Sequence, residues 1–184
     1  MRPRWCVASR RLPAARSSSP SGRRSTRARW TSRGCALPAD TLGGAYVRYL
    51  DDNKLDPDLF QAPPGLPEPL GYIAQRIRQT HDVWHVLTGY RPDVSGELAL
   101  QGFTYAQLGA PSALLIAALG TLTKSPRSAR AVLDGYRRGK SAVFLPVVRF
   151  EKMWELPLAE VQRRLGVPPA RVAQRSTERM AIAG

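Results

Sequence analysis

Prolines and glycines cut this chain into pieces of helix length, and that punctuation limits what it can fold into more than any other feature. After residue 40, breaks fall at Pro63-Pro64, Gly89 and Pro92, Gly109 and Pro111, Ser125-Pro126, Gly139, Pro157 and Gly166. Proline suits a first helical turn, and glycine the residue just past a last one. Between the breaks, apolar residues recur at helical spacing: Leu42, Tyr46, Val47, Leu50 and Leu55 first, then Leu70, Ile73, Ile77, Trp84 and Leu87. No convincing alternating stretch appears. The reading is all-α: one compact helical domain over residues 40–184, behind a disordered basic N-terminal tail of residues 1–39.

The expected helices begin with a short one from Leu42, closed by Asp51-Asp52-Asn53. A longer one follows at about 68 to 90, then Glu97–Gly109 with Ser95 as N-cap, and the apolar run Ala110–Thr123. Next come a helix opened by Ser125-Pro126 and ended by Gly139, then Ala142–Trp154, then Leu158–Leu165 stopped by Gly166. The β-branched run Val143 to Val148 is the one place where a strand competes. Ala110–Thr123 reads as a buried core helix, since about 13 residues fall far short of the roughly 20 that span a bilayer.

A net charge of +14 over 184 residues raises the question of nucleic acid, but residues 1–39 hold ten arginines and no acid. Only +4 remains for the rest, so the basicity is local and nucleic-acid binding is not supported. Arg, Ser and Pro without acids match a transit peptide in composition, although Pro3, Pro13 and Pro20 interrupt any amphipathic helix. A bacterial start placed too far upstream, or a basic arm, would look the same, and none of the three needs packed structure. Both cysteines, Cys6 and Cys35, fall in this segment, so neither a disulfide framework nor a thiolate metal site is expected, which suits a reducing compartment.

His81 and His85 are the two histidines of the chain, four residues apart in the second helix. With His81 at 0°, His85 falls at about 40° and Asp82 at about 100°, while the apolar stripe occupies about 240° to 340°. Arg78, at about 60° one turn upstream, is placed to meet an anion over the site or to neutralise Asp82. Glu97 lies beyond the break at Gly89–Gly96, where a helical hairpin would return it. His81, Asp82, His85 and Glu97 thus make a candidate metal set of two imidazoles and two carboxylates. Such a set suits Zn²⁺, accepts Fe²⁺ or Mn²⁺, and fits calcium and magnesium less well. A hydrogen-bonded cluster without metal would use the same residues.

His81-Asp82-x-x-His85, eleven residues, then Glu97, set in Gln75–Gly89 and Gly96-Glu97-Leu98-Ala99-Leu100, resembles the coenzyme Q biosynthesis protein 4 family. Thr41-Leu-Gly-Gly-Ala-Tyr46 resembles that family's threonine-glycine stretch. Gly139-x-x-Ala142-x-x-Leu145-x-x-Val148-x-Phe150-Glu151-x-x-Trp154 resembles its closing helix. The resemblance covers residues 41 to about 166. Phe150 stands where the family usually has Trp, and Gln101-Gly-Phe-Thr104 replaces a lysine-aromatic-aromatic-glutamate stretch. The family's earlier helix and proline-containing loop find no recognisable counterpart in residues 1–39.

The resemblance implies ubiquinone biosynthesis: metal-dependent C1 decarboxylation, oxidative or not, of a polyprenylated 4-hydroxybenzoate. His81, His85 and Glu97 would hold the metal, Asp82 would ligate it or carry a proton, and Arg78 would grip the substrate anion. It implies as partners the prenylated quinone precursor, the other ubiquinone-biosynthesis enzymes and a peripheral membrane contact, with a homodimer allowed. The location would be the cytoplasmic face of a bacterial inner membrane, or the mitochondrial matrix face if the tail is a transit peptide. In that setting Ala110–Thr123 could instead wall an isoprenoid tail or face a membrane. Arg127, Arg130, Arg137, Arg138 and Lys140 could meet anionic phospholipid. Two other classes compete: a zinc hydrolase, weakened by Asp82 where zincins have the longer Glu, and a non-catalytic lipid-binding organiser.

Overall fold

The computed structural model describes residues 26–56, 65–124 and 126–167, and among them the regular elements are all helical. In chain order these are α1 (Thr26–Gly34), α2 (Leu42–Asp52), α3 (Leu70–Thr88), α4 (Val94–Leu108), α5 (Pro111–Lys124), α6 (Pro126–Ser141) and α7 (Leu158–Leu165). Two 3-10 turns, Leu145–Val147 and Phe150–Lys152, lie between α6 and α7. An isolated bridge joins Thr41 and Pro157. The breakers act as the sequence suggested: Gly89 and Gly109 take the left-handed conformation, with φ of 72° and 63°, past the ends of α3 and α4. Ser125 lies outside the described residues, as does the chain from Pro168 onward.

The chain divides into two compact units, the first formed by the stretch up to Val83 together with Arg149–Leu158. Of the stretch read as tail, residues 1–25 lie outside the described residues, while α1 within 26–39 is helical and its Trp30 is only 3% exposed. The Trp30 ring lies 5.3 Å from that of Trp154 and 6.4 Å from that of Tyr46, and its carbonyl accepts the Trp154 indole N–H at 3.2 Å. Arg76 places its guanidinium 5.7 Å from the Trp30 ring and 6.0 Å from that of Phe150, while binding Glu151 at 3.0 Å. Average composition had hidden one residue with enough apolar surface to order its own helix. Cys35 is disulfide-bonded, which the expectation of a reducing compartment did not anticipate.

The first turn of α2 leaves N–H groups without intrahelical partners. Thr41 Oγ1 accepts the Gly44 N–H at 3.1 Å, and the carbonyls of Leu156 and Trp154 take those of Leu42 and Gly43, both at 2.9 Å. The early half of α3 departs from its expected stripe. Leu70 and Ile73 are exposed, and burial becomes continuous only from Asp82.

The second unit comprises Trp84–Val148 and the chain from Ala159 onward. Its α4 begins earlier than expected, capped by Asp93 rather than Ser95: the Asp93 carboxylate accepts the Gly96 N–H at 2.9 Å. Helix α6 lies backbone to backbone on α4, since a Cβ at Gly135 would run into the Ala99 carbonyl and one at Gly102 into that of Val132. Helix α5 is not the buried core helix expected. Ala113 and Ala117 face inward, while Leu114, Leu115, Ile116 and Leu119 are about half exposed. Between α4, α5 and α6, Tyr105, Leu114, Ala117, Val132, Leu133 and Tyr136 line an apolar groove of about 480 Å³.

The expected helix Ala142–Trp154 is also absent. Pro146 supplies no N–H and clashes with a continuing helix. The neighbouring donors are satisfied elsewhere: Leu145 N–H by the Gln107 side chain at 2.7 Å and Val143 N–H by the Leu165 carbonyl at 3.0 Å.

Candidate metal centre

Helix α3 runs unbroken through His81 and His85, so the four-residue spacing alone stacks the two imidazoles one turn apart. His85 is 1% exposed, and its Nδ1 lies 3.0 Å from the backbone oxygen of Tyr90. A carbonyl can only accept, so Nδ1 carries the hydrogen, and in the neutral ring Nε2 presents a lone pair. At 3.1 Å from that nitrogen stands Glu97 Oε1, another lone-pair atom. Two such atoms repel at this distance unless a proton or a cation lies between them. Ligand atoms on one zinc ion stand roughly 3 to 4 Å apart, so the pair already has the separation that an ion requires.

Glu97 arrives there because Asp93 starts α4 one turn earlier, which puts the carboxylate in the first turn with 41% of its side chain open to solvent. Single ligand atoms of His81, His85 and Glu97 fall within 4.8 Å of one another. Asp82 does not join this group. Its Oδ1 faces His81 Nδ1 at 3.4 Å, with the carboxylate 12% exposed. A carboxylate at that distance from a ring nitrogen can orient the imidazole. Arg78 is exposed one turn before His81.

Sequence reasoning missed the residues that hold the end of α3. Its last carbonyls are taken by side chains: Arg138 donates to Thr88 O at 2.8 Å and Gln162 to Leu87 O at 2.8 Å. The Tyr90 hydroxyl donates to Asp134 at 2.8 Å, and the Arg138 guanidinium lies 4.7 Å from the Tyr90 ring. Burial pushes the Tyr90 hydroxyl pKa well above its ordinary value, with Arg138 opposing. Gly89 did signal a helix end with carbonyls to satisfy. Nothing in the basic run of α6 distinguished buried Arg138 from exposed Arg137.

The chain is similar to known proteins. The family described as coenzyme Q (ubiquinone) biosynthesis protein Coq4 matches residues 20–171, so the likeness takes in α1 and extends beyond residues 41 to 166. The mitochondrial ubiquinone biosynthesis protein COQ4 homolog of Bos taurus is 33% identical over 146 residues, 74% of this chain and 55% of that protein. The homolog of Danio rerio is 35% identical over 142 residues, covering 73% and 52%. The chain spans about half the length of the curated relatives it matches. A crystal structure of a protein from Nostoc punctiforme assigned to ubiquinone biosynthesis has a TM-score of 0.64 and 26% identity, with 74% of this chain and 67% of that one covered.

Proposed function

Because the chain belongs to the coenzyme Q (ubiquinone) biosynthesis protein Coq4 family, we propose that it removes the ring carboxyl at C1 of a polyprenylated 4-hydroxybenzoate precursor, using a divalent ion held by His81, His85 and Glu97. The observation that carries this reading is the lone-pair contact of His85 Nε2 with Glu97 Oε1 at 3.1 Å. Zinc suits this mixed nitrogen and oxygen set best, and when bound it supplies a Lewis acid that orients and polarises substrate oxygens. In the reaction a proton adds to C1, the bond to the carboxyl carbon breaks, its electron pair restores the aromatic ring, and CO₂ departs. Asp82, largely buried behind His81, is suited to carry that proton. Exposed Arg78 is suited to grip the substrate anion.

The apolar groove between α4 and α6 supports a prenyl tail as part of the substrate. Exposed Leu115, Ile116 and Leu119 on α5, with exposed Arg130, Arg137 and Lys140 on α6, support a peripheral contact with anionic phospholipid, where pathway partners would meet it. Among the described residues no helix is long and apolar enough to cross a membrane. A second reading follows from Asp82 standing outside the ligand group: two histidines and one carboxylate are also the donor set of ferrous oxygenases. In that case CO₂ loss would need oxygen.

The test compares His85→Ala and Arg78→Ala in a strain that depends on this protein for quinone synthesis, with prenylated intermediates followed by mass spectrometry. His85→Ala should abolish product and accumulate the carboxylated ring. Arg78→Ala should retain some, because one charge-assisted contact is worth about 1.5 to 3 kcal/mol, roughly ten- to a hundredfold in efficiency. Normal quinone from a folded His85→Ala protein refutes the reading. Rescue by a folded, metal-free variant favours the organiser, and a block seen only without oxygen favours the oxidative chemistry.

A further inference from the structure

We infer that Arg138 is a positioning residue for His85, acting through the turn that follows α3. In the turn at Gly89-Tyr90 the Gly89 N–H donates to the His85 carbonyl at 2.8 Å, whereas Tyr90, past the end of the helix, supplies the carbonyl that sets the His85 ring. Arg138 holds this turn at two points. Its NH2 donates to Thr88 O at 2.8 Å, and its guanidinium carbon lies 4.7 Å from the centre of the Tyr90 ring, whose hydroxyl is tied to Asp134 at 2.8 Å. Asp134 Oδ2 also lies 3.9 Å from Arg138 NH1. The tyrosine is thus held by its ring and hydroxyl while its carbonyl holds the histidine.

Helix α6 can transmit position because glycine contacts lock it onto α4, the helix that carries Glu97. Arg138 is 8% exposed and reaches from this rigid pair to the end of α3, and so sets the separation of His85 Nε2 from Glu97 Oε1. The flat guanidinium donates to the carbonyl through one nitrogen while its carbon lies over the ring. A lysine ammonium keeps the charge but lacks the planar fork that spans both contacts, so it holds the turn less rigidly.

The consequence for metal rests on the reading of the site given above, whereas the geometry of the ring does not, and the test separates the two. The first measurement is the imidazole nitrogen spectrum of His85 in metal-free protein at fixed pH, for wild type and Arg138→Lys. Wild type should show one Nδ1–H environment, that of a ring hydrogen-bonded to the Tyr90 carbonyl, and Arg138→Lys, still melting cooperatively, should show more than one. An unchanged His85 spectrum in the folded variant overturns the inference. The second measurement is a zinc titration against a chromophoric chelator, where the variant should bind roughly ten- to a hundredfold more weakly, as for other outer partners of metal-bound histidines. Equal affinity together with a lowered melting temperature makes Arg138 merely structural and also overturns it. Should wild type bind no zinc, the metal reading fails and the His85 spectrum still decides. If Arg138→Lys does not fold, Asp134→Asn loosens the same tyrosine from its hydroxyl end and should give more than one Nδ1–H environment in the same way, with an unchanged spectrum refuting the inference.

Discussion

Replacing Trp30 by alanine should remove a large part of the stability of the first unit, although the residue lies within a stretch that composition marks as tail. A tryptophan buries roughly 150 to 250 Å², which at about 25 cal/mol per Å² corresponds to about 4 to 6 kcal/mol. Truncations of buried aromatics in other proteins cost about 3 to 5 kcal/mol. The unfolded chain already hides part of this surface, so about 4 kcal/mol is expected. The loss also strips the Arg76 guanidinium of one of its two aromatic faces and opens the ring contacts with Tyr46 and Trp154. With a urea dependence of about 2 kcal/mol per M, the midpoint should fall by about 2 M in Trp30→Ala and by much less in Trp30→Phe. Unfolding followed by circular dichroism measures this. A midpoint within about 0.5 M of the parent would mean that α1 rests on the surface without contributing, and would refute the packing argument.

Gln107→Leu should destabilise the second unit by about 2 to 5 kcal/mol in the same assay. It leaves the Gly139 carbonyl and the Leu145 N–H, each now bonded at 2.7 Å, without partners in the interior. Tyr90 predicts alkaline sensitivity. Its folded pKa is raised above the unfolded value of about 10, so its contribution is intact below pH 10 and is lost as pH rises, because the unfolded state ionises first. Stability should fall above about pH 10 by at most about 1.4 kcal/mol per pH unit, and Tyr90→Phe should remove that component of the slope.

What could be read from the sequence followed from local rules. Helix ends at Gly89, Gly109 and Gly166 depend on nearest neighbours, and the approach of His81 to His85 needs only helical pitch. Glu97 was legible because a short break between two helices leaves few ways to return. What could not be read depends on partners far along the chain. Helix α5 is apolar on all sides, and a stripe that runs all round does not say which face turns inward; the small face did. Ala142–Trp154 has a helical pattern, but its backbone donors found Gln107 and Leu165 instead. Arg138 and Arg137 are identical letters side by side, and only the fold makes one a support and the other a surface charge.

The hydrogen bond from the Trp154 indole to the Trp30 carbonyl joins residues 124 positions apart, and this separation bears on how the chain is made. At a synthesis rate of about 5 to 20 residues per second, the first unit waits roughly 6 to 25 s for its closing segment, far longer than the microseconds in which its helices form. Throughout that interval Trp30 and Tyr46 have neither Trp154 to cover them nor the carbonyls of residues 154 and 156 to cap α2. The nascent protein therefore presents an unfinished aromatic face to whatever stands at the ribosome exit, and a slower or paused ribosome lengthens that exposure in proportion.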